Sequence, residues 1–183
     1  VKDLNLFMRF LRLCAGRHGQ ILNQSQLAID VGVSHTTVAD WLGILEASYI
    51  LFQLPPYHKN YNKRLIKSKK LYFYDSGLVA HLLGIRSADQ LSIHASRGAI
   101  FEGYVISEII KNNLNKGQRP EVYFWRDSNG NEVDLLLERA GQLDAFEIKS
   151  TATFRRDLLK SLHKWSSISG QSSALNLVYA GLE

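Results

Sequence analysis

The chain has a single cysteine, Cys14, among its 183 residues. That excludes a disulfide framework and leads us to expect an intracellular, cytoplasmic protein. No apolar run approaches the roughly 20 residues of a bilayer span, so no membrane partner is expected. The opening Val1-Lys2-Asp3-Leu4-Asn5-Leu6-Phe7 lacks the layout of a signal peptide. The six histidines are scattered, and no Cys/His spacing suggests zinc. There is no Gly-x-x-x-x-Gly-Lys-[Ser/Thr] loop to cradle a nucleotide phosphate. The valine start and the strand-like Leu177-Val178-Tyr179 near the end suggest a piece of a longer chain, and any ATP hydrolysis would belong to the missing part. What remains is ordinary globular material, 45% hydrophobic and 21% charged, enough for one full domain or two small ones.

Charge is unevenly placed. Residues 1–95 hold eleven Lys/Arg against six Asp/Glu, and residues 96–183 hold eleven of each, so the whole excess of +5 lies in the first half. An acidic partner such as DNA is drawn to a field of that sign.

The first half reads as helices followed by two strands. Leu4, Phe7, Met8, Leu11 and Cys14 recur at helical spacing up to Gly16. Asn23 or Ser25 can cap a short helix carrying Leu27 and Ala28, Gly32 permits a tight turn, and Ser34 can cap the next helix, lined by Val38, Leu42 and Leu45. Tyr49 to Leu54 is an apolar strand stopped by Pro55-Pro56, and Leu71-Tyr72-Phe73-Tyr74 is a second. Between them Lys59, Lys63, Arg64, Lys67, Lys69 and Lys70 put six basic residues into twelve. Three helices and two strands with a basic connection resemble the winged helix-turn-helix family. The resemblance implies DNA contact through the basic wing and through His35 and Thr36 at the start of the third helix. That helix offers a groove no Arg or Lys, and Asp40 and Glu46 repel phosphate, so domain packing is an equal reading of the same motif. Asp75 to Gly84 reads as a short capped helix, and 85–96 as a polar connection.

The second half opens with a helix from Gly98 to about Gly117, with Phe101, Val105 and Ile109 as its inward stripe and Glu102 on the flank. Strands follow at Val122–Arg126, Glu132–Leu137 and Leu143–Lys149, separated by turns at Asn129-Gly130-Asn131 and Ala140-Gly141. A helix from Phe154 to Ser169 and a strand at Leu175–Tyr179 complete the order. Asp134 and the Glu147-Ile148-Lys149 series sit in runs that otherwise read as buried, where charge is expensive unless paired or holding a metal. Alternation puts Glu147 and Lys149 on one face and lets Asp134 meet them. Two carboxylates and a carbonyl, such as that of Ile148, suit Mg²⁺ beside a scissile phosphate, and Lys149 could orient water or stabilise charge. Trp125, Trp165 and Trp41 read as packing residues. Arg126 can contact phosphate or pair with Glu132.

Asp134, twelve residues, then Glu147-x-Lys149 resembles the PD-(D/E)XK nuclease superfamily, with Val133 where that motif usually has proline. Gly98-x-x-x-Glu102-x-x-Val105-x-x-x-Ile109 is similar to its first-helix motif. The resemblance implies a restriction-endonuclease-like α/β fold, catalytic roles for Glu102, Asp134, Glu147 and Lys149, and a Mg²⁺ site (Mn²⁺ able to substitute) on Glu102, Asp134, Glu147 and the Ile148 carbonyl. The order of the two halves resembles the C-terminal region of a prokaryotic AAA+-type ATPase family, a region usually described as a domain of unknown function.

The expected architecture is therefore a two-domain α/β protein: a winged helix-turn-helix over 1–84, a linker over 85–96 and a nuclease-like domain over 97–183. The expected activity is Mg²⁺-dependent DNA cleavage within a larger ATPase. A non-catalytic DNA-binding or regulatory protein-interaction module is the alternative, and oligomerisation is left open.

Overall fold

A computed structural model of the protein describes residues 3–57, 68–170 and 174–181. They form two compact units: residues up to Gln53 together with Ser68–Tyr104, and Leu54–Tyr57 together with the residues from Val105 onward.

Helix starts in the first unit follow from capping chemistry. Helices α1 (Leu4–Ala15), α2 (Gln24–Val31) and α3 (His35–Ala47) follow Asp3, Asn23 and Ser34. These side chains accept the backbone N–H of Leu6, Gln26 and Thr37, each at 3.0 Å. Each such cap contributes about 1 kcal/mol by satisfying a donor the helix cannot. Gly32 ends α2 at φ +86°, a left-handed conformation that glycine adopts without Cβ strain. Phe10, Cys14, Leu27, Val31, Val38 and Leu42 form the core between the three helices. The Trp41 ring meets Phe7 edge-on at 5.3 Å.

Strands β1 (Leu51–Leu54) and β2 (Lys70–Phe73) form a two-stranded sheet, and Ile21 adds an antiparallel bridge to Lys70. Three helices followed by this small sheet make a winged helix. Helix α4 (Ser76–Leu82) starts at Asp75, which accepts from Gly77 and Leu78. The stretch expected to be a polar linker is instead folded. It contains helix α5 (Ala88–Ile93), and Ile85 and Leu91 pack into the first unit's core. The basic connection at Lys59, Lys63, Arg64 and Lys67 lies outside the described residues.

Helix α6 (Arg97–Asn115) is where the chain passes from one unit to the other. Its buried positions are Ile100, Gly103, Ile106, Ser107, Ile110 and Asn113, not the predicted Phe101, Val105 and Ile109. The largest apolar side chains mislead here because small residues mark a close approach. A Cβ on Gly103 would fall on the imidazole of His18 and within 3.2 Å of Tyr72. That imidazole is buried, and its Nδ1 accepts the Phe73 N–H at 3.2 Å. Burial holds its pKa down to about 4, only partly offset by the Ala99 backbone, so the ring stays neutral.

The second unit is built on a four-stranded sheet of β3 (Glu121–Arg126), β4 (Glu132–Arg139), β5 (Gln142–Lys149) and β6 (Leu175–Tyr179), in that spatial order. The first two pairings are antiparallel and the last is parallel, with a register shift between Tyr123 and Trp125. A parallel neighbour needs a crossover, supplied by a 3₁₀ turn (Arg156–Leu159) and helix α7 (Lys160–Ser169). Leu162 and Trp165 of α7 pack with Trp125, Val133, Leu136, Leu143 and Ala145. Tyr57 joins this cluster and lines up with β3, its N–H donating to the Phe124 carbonyl at 2.7 Å. The β4–β5 turn places Ala140 and Gly141 at φ +50° and +78°.

Two glycines separate close packing from mere helix weakness. Gly103→Ala is expected to destabilise the protein by about 1–3 kcal/mol through collision with His18. Gly43→Ala, on α3 with nothing within 4 Å of the new methyl, is expected to stabilise it by about 0.5–1 kcal/mol. Urea unfolding of both variants checks the pair, and equal effects would overturn the account of α6.

Candidate functional site

The register of β4 against β5 decides which side chains can meet. Leu135 lies opposite Phe146 and Leu136 opposite Ala145. Continuing the same ladder sets Asp134 opposite Glu147. Opposed residues share a sheet face, so both carboxylates stand on the side that Leu136 and Ala145 present to α7. The side chains of Asp134 and Glu147 are only 8% and 5% exposed.

Lys149 compensates the two charges. Its Nζ lies 3.0 Å from Asp134 Oδ2 and 2.5 Å from Glu147 Oε1. Asp134 Oδ2 also accepts the Ile148 N–H at 2.8 Å. The Ser161 hydroxyl reaches Glu147 Oε1 at 3.5 Å. Glu147 Oε2 is buried and has no hydrogen-bond partner among the described residues. Burial, and next the Asp134 charge, push Glu147 up to about 7 against the pull of Lys149. Burial works against the Lys149 ammonium, but the two carboxylates outweigh it and hold its pKa above the ordinary lysine range.

These groups form the floor of a cleft of about 720 Å³. Its lining includes Lys160, Ser161 and Lys164 of α7 and the turn carrying Gly130 and Asn131. That turn is fixed by Asp127. Its buried carboxylate accepts the N–H of Asn129 and of Asn131, each at 2.9 Å, and the Asn131 side-chain amide at 2.8 Å.

The donor set can be tested against the Mg²⁺ expected from sequence. Among the described residues no three His, Cys, Asp or Glu side chains are gathered to hold a metal. Two carboxylates do converge on one cation, the Lys149 ammonium, and one buried carboxylate oxygen is unsatisfied. Mg²⁺ commonly takes one or two carboxylates and fills its octahedron with water. Asp134 and Glu147 fit that ion without a third acid.

Other expected residues lie elsewhere. Glu102 belongs to the first unit, where its Oε1 accepts from Lys70 Nζ at 3.1 Å and from the Tyr72 hydroxyl. Lys70, read from sequence as a wing residue for DNA, is 3% exposed with its ammonium on Glu102, so it points inward. The alternation of β2, Lys70 and Tyr72 sharing a face, permits that pairing, but it was hidden in a run of lysines. Lys69, His35 and Thr36 are exposed. Ile148 meets Asp134 through its N–H. Arg126 pairs with Glu132 at 3.4 Å.

Sequence reasoning passed over Ser161, Lys160, Lys164 and Asp127. The Asp127-x-Asn129-x-Asn131 pattern is a legible turn signal. The α7 residues declare nothing until the crossover sets them beside the acids.

Comparison with known proteins finds that each half is similar to a family without assigned function. Residues 1–89 match a family described as Domain of unknown function (DUF8612), and residues 97–183 match Domain of unknown function (DUF4143). Two uncharacterized proteins, from Mycobacterium tuberculosis and Mycobacterium bovis, are each 32% identical over 171 residues, 92% of this chain. The chain spans 37% of the length of these curated relatives. A crystal structure of a MepR mutant from a multidrug-resistant S. aureus clinical isolate aligns over 62% of this chain and 75% of its own, at 19% identity and a TM-score of 0.33. No helix among the described residues is long and apolar enough to cross a membrane.

The raised Glu147 pKa has a consequence for stability without metal. A carboxyl protonated in the folded state up to about pH 7, but in the unfolded chain only to about 4.3, stabilises the fold below that lower value. The contribution is lost as pH rises through 7. In EDTA, Glu147→Gln is expected to be more stable than the wild type at pH 8, by at most about 4 kcal/mol, with the difference vanishing below about pH 4. Denaturant titrations at the two pH values check this, and a pH-independent difference would refute it.

Proposed function

We propose that the second unit is a Mg²⁺-dependent, PD-(D/E)XK-type nuclease-like module that hydrolyses phosphodiester bonds of DNA, as part of a larger protein that also carries an ATPase domain. The observation that carries this reading is the convergence of Asp134 and Glu147 on one ammonium, with a buried Glu147 oxygen left unsatisfied. The order α6–β3–β4–β5–α7–β6, antiparallel twice and then parallel, supports it, since it agrees with a restriction-endonuclease-like core. The succession of two family matches across the chain agrees with the C-terminal region of an AAA+-type ATPase. Relatives of more than twice this chain's length leave room for the ATPase domain.

Asp134 and Glu147 would hold the cation. Once bound, Mg²⁺ or Mn²⁺ supplies charge neutralisation at the scissile phosphate and a lowered pKa for water. The Ile148 N–H fixes the Asp134 carboxylate in place. Glu147 must lose its proton to act as a ligand, so binding strengthens as pH rises past about 7. Lys149 contacts both carboxylates, and its partly exposed ammonium is the group able to turn toward the phosphate. Glu102, engaged by Lys70 and Tyr72, is left out of the proposed ligand set.

A second reading has an observation of its own. Lys149 already compensates both carboxylates, which suits a closed structural ion cluster in a non-catalytic module that binds DNA or regulates the ATPase.

Asp134→Asn preserves shape and separates the two. On the first reading, millimolar Mg²⁺ or Mn²⁺ supports cleavage of plasmid and single-stranded DNA, and the variant loses about 100-fold or more in rate. Calorimetry should show metal binding to the wild type only. No metal uptake, with wild type and variant equally inert on DNA, would remove the enzyme.

A further inference from the structure

An acidic floor by itself repels a polyanion, so a cleft that admits nucleic acid needs positive charge placed elsewhere. Helix α7 carries it. Its sequence from Lys160 to Ser169 contains two lysines, one histidine and no acid. Lys160 and Lys164 are both exposed and both line the cleft above Asp134 and Glu147. Four residues apart, they stand on one helix face with an axial separation of about 6 Å.

Their neighbours are otherwise engaged. Lys149 is held by Asp134 and Glu147, Arg126 by Glu132, and Arg155 by Asp157. Among the described residues neither Lys160 nor Lys164 has a carboxylate within ion-pair distance. Two like charges at this spacing oppose each other by about 0.2–0.5 kcal/mol on a helix surface. An anion lying across both relieves that repulsion. The fixed backbone of α7, packed through Leu162 and Trp165, keeps the pair at a constant place relative to the floor.

We infer that Lys160 and Lys164 seat two successive phosphates of a nucleic-acid strand that runs along α7, over the Asp134–Glu147 floor. The inference deepens the nuclease-like reading, on which it rests for the chemistry at the floor, while the binding role is measurable without cleavage. Contacts to phosphate carry no sequence preference, so this edge of the cleft grips any strand and leaves selectivity to other surfaces.

The test is the salt dependence of binding of a labelled oligonucleotide, single-stranded and duplex, to the full chain in EDTA. Each phosphate neutralised contributes about 0.7 to the log–log salt slope for a single strand and about 0.9 for a duplex. Lys160→Ala/Lys164→Ala should therefore flatten the slope by about 1.4 or about 1.8. Lys116→Ala, an exposed lysine just past the end of α6, should leave it unchanged, and thermal melts should show all variants folded. An unchanged slope in the double variant, or a wild type that does not bind, overturns the inference. If the wild type cleaves and Asp134→Asn does not, yet the lysine variant matches wild type in slope and KM, only the lysine assignment falls. If nothing cleaves under any metal but the slope flattens, the lysine assignment stands and hydrolysis falls.

Discussion

Two carboxylates in the middle of a sheet set the terms for the second unit. Asp134 lies within a continuous buried run from Val133 to Leu137, and Glu147 is buried next to Ile148. Ionised groups so placed are stable only where nearby groups of opposite polarity replace the lost water. The sheet supplies those groups from one short stretch of β5: the Ile148 N–H toward Asp134, and Lys149 toward both acids. A shift of one residue between β4 and β5 would turn these side chains to opposite faces and leave both charges uncompensated. The site and the strand register therefore specify each other. Compensation is incomplete at Glu147 Oε2, which has no hydrogen-bond partner among the described residues.

Much of this was legible in the sequence because it depends on short-range rules. Caps at Asn23 and Ser34, the turn at Gly32 and the strand spacing of Asp134, Glu147 and Lys149 are all local signals, and from them follow the helix starts and the meeting of those three side chains. What stayed hidden depends on contacts between distant segments. The inward face of α6 is chosen by the fit of Gly103 against His18, not by the largest apolar residues. Lys70 looked like one more surface lysine, yet a carboxylate 32 residues away takes it inside. The stretch after α4 looked polar because the two residues that anchor it, Ile85 and Leu91, are sparse among charged ones.

Acidic residues in this chain do three physically different jobs. Asp3 and Asp75 satisfy helix starts at the surface. Glu102 neutralises a buried ammonium and accepts a phenol, tying β2 to the first turns of α6 within the first unit. Asp134 and Glu147 face a cleft with room for a ligand. A motif match treats the last three as equivalent. Their surroundings do not, because the donors around Glu102 are already committed to it.

Asp127 adds a limit of another kind. One enclosed carboxylate gathers two main-chain amides and one side-chain amide from the segment that ends at Asn131. A template of that sort fits one loop length only, since adding or removing a residue would pull the amides off their acceptor. The Gly130–Asn131 edge of the cleft is thereby held in place, and the side chains along α7 are the part of its lining left free to vary.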